Sequence, residues 1–452
     1  MASLIRITVR SSAAMPSDVS PRLLLCNPMV RFRRFHVRRH SLAVLAIAAA
    51  ACTPGSDAAP ETTQAASTTT FPALDQSDGI LTIGLLLPSS NPTLGQGLID
   101  AANIAVDRIN DAGGVLGRNV RVVEQDEGLG DGTAAASIAA LLESTPSVDA
   151  VIGPSSSLVA LSQLDTLVAA GIPSCSPTAT ALALDDFPDE RLFFRTVPSD
   201  SLQAVAAADL AERTGVQDVA VVYIDDAYGR PFAAAVEDAL AAGTRSVSRV
   251  ETYGFVRTDG DLADKAQRVA DSGARVAILL AGSDDGAAFL EALDDTSFGS
   301  ITDIIVNDAL RDPSITPRVE ALDPALRALV RGVAPQAQSS DADRPFDPPG
   351  LFAAQAFDCV NLIALAAYSV DSDDPAEFAS QIPALTVGGR VCLSFEACSV
   401  LLDEPLDINY NGPDGITELL VIGDPARARF DVFRFDDTGR AEFTQALVAA
   451  RR

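Results

Sequence analysis

From residue 80 onward the apolar and polar positions of this 452-residue chain follow two alternating rhythms. The continuous apolar run at 80–87 (ILTIGLLL) is a predicted strand buried on both faces, and 150–153 (AVIG), 219–224 (VAVVYI), 276–280 (VAILL) and 303–306 (DIIV) are further predicted strands. A shorter run, VRVV at 120–123, is predicted as another. Between them the spacing lengthens to that of a helix. Leu98, Ala102, Ala105 and Ile109 share one helical face, and Gly113-Gly114 ends that helix. Similar stretches predict helices at 133–143, 157–170, 201–214, 230–242, 284–294 and 352–369. Strand and helix in alternation predict an α/β fold with parallel sheets flanked by helices. So many strands exceed one sheet, which predicts two lobes, with any ligand beyond the carboxyl ends of the strands. The 334–350 stretch (APQAQSSDADRPFDPPG) interrupts the rhythm as a hinge or surface loop. The acids of 369–378 lack the spacing of a calcium loop and read as a solvated connection.

The first 78 residues are different in kind. Arg31, Arg33, Arg34, Arg38 and Arg39 precede the apolar stretch Leu42–Ala51, which is too short to span a bilayer. Small residues and Cys52 follow. This is the pattern of an export signal, with Met29 as the natural start and Cys52 as the lipidated residue of a lipobox. Residues 53–78, rich in Thr, Ser, Ala and Pro, read as a flexible tether. Residues 1–51 hold eight Arg and one Asp, so their loss moves the formal charge from −28 to −35. Such an acidic chain lacks the basic face that nucleic acid requires.

The chemistry is narrowed further by what the exported chain lacks. Its only histidines, His36 and His40, leave with the signal. Without them no Ser-His-Asp or Cys-His mechanism is available, nor a histidine-bearing zinc site. The glycines of PTLGQGLID follow a strand, but Asp100 stands where a dinucleotide fingerprint needs its third glycine. No catalytic residue, cofactor or metal is therefore implied. Cys392 and Cys398 enclose the short loop CLSFEAC and are expected to pair. Cys175 and Cys359 are left either to pair with each other or to remain as buried thiols.

Two hydroxyl-rich segments stand out. VIGPSSSLVAL (151–161) ends a strand in Gly-Pro and three serines and then opens a helix. GIPSCSPTATALAL (171–184) crowds Ser174, Ser176, Thr178 and Thr180 around two prolines, and is read as a second strand end leading into a helix. Single serines there would be helix caps. Two clusters on adjacent strand ends form a cradle of amides and hydroxyls suited to a zwitterion or small polar guest.

These segments, with GLLLPSS, GQGLIDAANIAVDRINDAGGVLGRNVRVVEQDEG, FFRTVPSD and VYIDDAYGRPFAAAVEDAL, resemble the Leu/Ile/Val-binding family of type I periplasmic binding proteins. Members are exported receptors of ATP-driven importers. The likeness runs in order from about 80 to 440, and residues 392–415 resemble actinobacterial-type members. It implies two Rossmann-like lobes joined by a three-segment hinge, lobe 1 at 79–198 plus 338–424 and lobe 2 at 199–337 plus 425–452. It also implies a small amino acid or amide in the cleft, permease subunits as partners, and a lipid anchor on the outer face of the cell membrane. By the same resemblance Ser157 and Thr180 would hold the ligand carboxylate. The Thr178 carbonyl, the Thr180 hydroxyl and Asp308 would receive the ammonium, and Ala179 would line the wall. Tyr228 would close over the ligand, with Leu94 and Phe352 around its side chain. Arg195 and Asp126 would tie loops beneath the site.

The residues alone leave other readings open. Tyr228 also fits an aromatic packed on its own lobe, Asp308 a helix cap, and Phe352 a core residue. AGSDDG (281–286) departs from the family pattern, and Asp284 or Asp285 there would suit a more polar guest. A ligand sensor that signals without transport would have the same fold, and an α/β enzyme ranks last for want of histidine or an activated nucleophile.

Overall fold

The computed structural model describes residues 77–451 apart from 129–130, 145–146, 244–246, 339–344, 347–349 and 416–417. The export signal, Cys52 and the tether as far as residue 76 lie outside the described residues. In chain order the elements are β1 (Thr82–Leu87), α1 (Gly95–Asp111), β2 (Arg121–Asp126), α2 (Asp131–Leu142), β3 (Ala150–Ile152), α3 (Ser157–Ala169), β4 (Ser174–Ser176) and β5 (Phe193–Arg195). There follow α4 (Asp200–Glu212), β6 (Asp218–Ile224), α5 (Gly229–Ala242), β7 (Arg249–Phe255), α6 (Asp259–Asp271), β8 (Val276–Leu280), α7 (Ser283–Asp294) and β9 (Asp303–Val306). Next come α8 (Thr316–Ala321), α9 (Pro324–Leu329), β10 (Val330–Pro335), α10 (Ala353–Val370), α11 (Pro375–Phe378), β11 (Arg390–Cys392), α12 (Phe395–Asp403), β12 (Ile408–Tyr410), β13 (Arg427–Phe435) and β14 (Ala441–Ala450).

The first lobe is built on the sheet β2-β1-β3-β4-β5, parallel throughout. All six residues of β1 are buried because both faces of the sheet are covered. One face packs on α1 and α10 through Leu98, Ala105, Ile363 and their neighbours. The other packs on α2 and α3 through Ile138, Leu141 and Leu164. Helix α10 is apolar and long enough to cross a membrane, yet 83% of it is buried in this fold, so it is a core helix. A disulfide between Cys175 on β4 and Cys359 on α10 joins two passes of the chain 184 residues apart, and Cys392 is bonded to Cys398.

The second lobe carries the sheet β14-β13-β10-β9-β8-β6-β7. The alternating pattern led us to expect parallel strands only, and β6 to β10 are parallel. β13 is antiparallel both to β10 and to its other neighbour, β14. For β13 and β14 the reason is connectivity: 436–440 is a short turn, and a parallel pair needs a crossover of a dozen residues or more. The chain therefore passes between the lobes three times, after β5, after β10 and before β13.

Buried charge is paired near these crossings. Arg195 is fully buried, with its guanidinium 2.7 Å from Asp424 and 2.7 Å from Asp185. Arg451 reaches the same two carboxylates. Their charges hold the guanidinium protonated in spite of burial.

Candidate functional site

A cavity of about 420 Å³ lies where the carboxyl ends of both sheets converge. The first lobe contributes Pro88, Asn91 and Leu94 after β1, Glu127 and Gly128 after β2, Ser155, Ser156, Leu158 and Val159 around the start of α3, and Thr178 and Thr180 after β4. The second lobe contributes Tyr228 before α5, Ser283 at the start of α7, and Asp308, Ala309 and Asp312 after β9. Leu351 and Phe352, preceding α10, complete the wall.

The first-lobe loops are held by a chain of hydrogen bonds. Gly153 ends β3 at φ +116°, where a Cβ would sit 2.1 Å from the Leu86 carbonyl oxygen; only glycine allows that approach. The turn beyond it is gripped by Glu127, wholly buried, whose carboxylate accepts the Ser156 amide at 2.7 Å, the Ser155 amide at 2.8 Å and the Ser155 hydroxyl. Burial raises the Glu127 pKa, and these three donors oppose the rise. The Ser156 hydroxyl caps α3 by accepting from the Val159 amide. The Thr178 hydroxyl donates to the Ser155 carbonyl at 2.7 Å, and Ser176 donates to the Pro154 carbonyl at 2.6 Å while accepting the Ala179 amide. Beneath the loop Arg195 donates to the carbonyls of Ala179 and Ala181. Asp126 accepts the amides of Ser90 and Gly128.

Of the residues singled out from the sequence, Leu94, Thr178, Thr180, Tyr228, Asp308 and Phe352 line this one cavity. Ser157 and Ala179 do not. The Ser157 hydroxyl oxygen accepts the Thr180 amide at 3.1 Å and the Ala181 amide at 3.2 Å, and Ala179 is fully buried behind the loop. Asp284 and Asp285 are drawn away by Arg318 and Arg257, leaving Ser283 on the wall. The helix read into 171–184 is only a three-residue 3₁₀ turn at Leu182–Leu184, so of the two hydroxyl-rich segments only 151–161 opens an α-helix.

On the second lobe Tyr228 packs against the hydrophobic cores of both lobes, and its hydroxyl accepts from the Asn307 side-chain amide at 3.1 Å. Burial, then the negative charge of Asp200, holds its phenol well above the ordinary value. Asp308 opens a 3₁₀ turn after β9 and is 6% exposed. Asp200, the first residue of α4, is 0% exposed. Among the described residues neither Asp200 carboxylate oxygen, nor Oδ1 of Asp308, has a hydrogen-bond partner. Burial raises both carboxyls, and the charge of Asp308 pushes Asp200 higher still. Two such acids beside Thr180 and Tyr228 are suited to a cation. Sequence reasoning missed Asp200 because an acid in the first turn of a helix normally serves the helix dipole. Glu127 was missed because an acid in a polar loop reads as solvated.

The family described as periplasmic binding protein matches residues 80–392. The chemotactic signal transduction system substrate-binding protein BasB of Halobacterium salinarum is 29% identical over 364 residues, spanning 76% of this chain and 84% of that protein. Glutamate receptor 3.1 of rice (Oryza sativa subsp. japonica) is 33% identical over 147 residues, 32% of this chain and 15% of the receptor. Among solved structures, the branched-chain amino acid transporter substrate-binding protein LivJ of Streptococcus pneumoniae, in complex with isoleucine, superposes with a TM-score of 0.62. It is 17% identical, and the match covers 82% of this chain and 100% of LivJ. The chain therefore belongs to the periplasmic binding protein family and has the type I fold of its branched-chain amino-acid-binding members.

Proposed function

We propose that this protein is an extracytoplasmic receptor for a small α-amino acid. The observation that carries the reading is the pairing, in one cavity, of a hydroxyl- and amide-rich loop on lobe 1 with Asp308 of lobe 2, whose Oδ1 is buried without a hydrogen-bond partner and which has the buried Asp200 close enough to interact with its charge. A zwitterion satisfies both at once. Its carboxylate goes to the α3 entrance and the Thr180 hydroxyl, and its ammonium to Asp308, Asp200 and the Thr178 carbonyl. Pro88, Leu94, Leu158, Val159 and Phe352 then surround the side chain, which favours an aliphatic one. Tyr228 touches the guest only when the lobes are together, so binding favours the closed form by the free energy of that contact.

In this reading the closed form docks on the permease subunits of an ATP-driven importer, and Cys52 carries the lipid that keeps the receptor at the membrane. Family membership and the leader pattern of residues 29–52 support the extracytoplasmic location. A second reading, a ligand sensor that signals without transport, is favoured by the likeness to a chemotactic substrate-binding protein over 84% of its length. Thermal-shift screening of the chain from residue 77 against amino acids, amides and urea tests the ligand class. Stabilisation by neutral amino acids, weakened in Thr180→Ala and Asp308→Ala, is expected. Stabilisation that neither substitution alters would place the ligand elsewhere.

A further inference from the structure

The charge balance of the cavity bears on which amino acids it admits. Three lining residues, Glu127, Asp308 and Asp312, are acidic, and among the described lining residues none is Lys, Arg or His. An anion here must therefore rely on backbone amides. The best placed are those opening α3, and two of them, Ser155 and Ser156, already donate to Glu127. We infer that Glu127 is an internal anion which occupies half of the α3 entrance and bars amino acids bearing a second carboxylate.

The inference rests on the amino-acid reading of the site and refines it. One carboxylate of the guest is accommodated by the remaining amides and Thr180. A second would lie against Pro88, Leu94, Leu158 and Phe352 with no cation among the described lining residues to pair with it, in the field of Glu127 and Asp312. An unpaired buried carboxylate is among the most costly groups to desolvate. A neutral side chain of the same length meets no such barrier. Glu127 is thus a specificity-determining residue: it holds the loop through two amides and a hydroxyl, and it sets the sign of charge that the chamber accepts.

The test compares leucine, glutamine and glutamate by calorimetry on the wild-type chain and on Glu127→Gln and Glu127→Ala. The wild type is expected to bind the best neutral amino acid at least ~100-fold more tightly than glutamate. Glu127→Gln keeps a carbonyl for the loop and removes the charge. It should narrow that ratio about tenfold, glutamate losing less affinity than leucine or gaining some. Glu127→Ala should also gain stabilisation by sulfate, as the freed amides take an outside anion. Wild-type binding of glutamate within tenfold of the neutral amino acids would overturn the proposal. So would equal loss for all three ligands in Glu127→Gln. Failure of every amino acid to bind would instead overturn the amino-acid reading, and this refinement with it.

Discussion

The Ser157 hydroxyl oxygen lies 3.1 Å from the Thr180 amide nitrogen, joining the opening of α3 to the loop after β4. This contact, with a second to the Ala181 amide, fixes the spacing between the two groups assigned to the ligand carboxylate. Ser157→Ala leaves two amides without a partner and loosens the loop. We expect ligand affinity to fall about 10- to 100-fold, while unfolding stability falls by only ~1 kcal/mol. Calorimetric titration beside chemical denaturation separates the two. A drop in stability with affinity unchanged would make Ser157 a purely structural residue.

Asp200 and Asp308 predict a proton linkage. Both carboxyls are raised by burial in the free protein, and Asp200 additionally by Asp308. The other charges acting on Asp200 are Arg195, which lowers it, and Asp185, which raises it; Tyr228 packs nearby. A bound ammonium stabilises the ionised forms, so binding lowers these values and releases protons. Affinity should then rise with pH through the raised range, until the ligand ammonium itself titrates. Titrations in buffers of different ionisation enthalpy should show net proton release on binding, reduced in Asp200→Asn. Proton uptake would contradict this arrangement.

The parts of this molecule that were legible in the sequence are those where one physical signal dominates. β1, β6 and β8 are buried on both faces and therefore read as unbroken apolar runs. β7 (RVETYGF) lies at a sheet edge and only Tyr253 and Phe255 of it are buried, so its composition is mixed. β14 is an exposed edge strand of the same kind, and β5 has only three residues. The 171–184 segment read as a strand end leading into a helix, but it has too few apolar residues before Asp185 and Pro188 for more than one 3₁₀ turn. The cavity was legible as two hydroxyl clusters. Ser157 was expected at the ligand and instead ties the loops behind it, a difference that depends on where a hydroxyl points.

Asp149 predicts a pH-dependent stability unrelated to the ligand. It is 4% exposed, its carboxylate accepts the Thr82 amide at 2.7 Å, and its pKa is pushed up to about 8. Burial is the main cause, with the charges of Asp373, Asp78 and Asp374 adding to it. Between the ordinary 3.8 and about 8 the folded chain holds a proton that the unfolded chain has released. Stability contributed by this group is therefore full at low pH and is lost as pH rises through that window. Denaturant unfolding at several pH values should show a slope that Asp149→Asn, which keeps an acceptor for Thr82, makes shallower. An unchanged slope would locate the titrating group elsewhere.

The two disulfides should differ in worth. Cys175–Cys359 spans 184 residues and fastens α10, a core helix, to the strand that leads into the loop bearing Thr178 and Thr180. Cys392–Cys398 spans six. If a cross-link acts by restricting the unfolded chain, the longer closure contributes more. Replacing Cys175 and Cys359 together by Ala should cost about 4–5 kcal/mol, the upper part of the range for a native bridge. The same change at Cys392 and Cys398 should cost less. Since Cys175 and Cys359 are buried and neither lines the cavity, affinity in the folded variant should stay within about threefold of wild type, as for distant independent sites. Denaturation midpoints and titrations on the two double variants check both statements. An affinity loss above tenfold in the Cys175/Cys359 variant would show that the bridge also shapes the loop bearing Thr178 and Thr180.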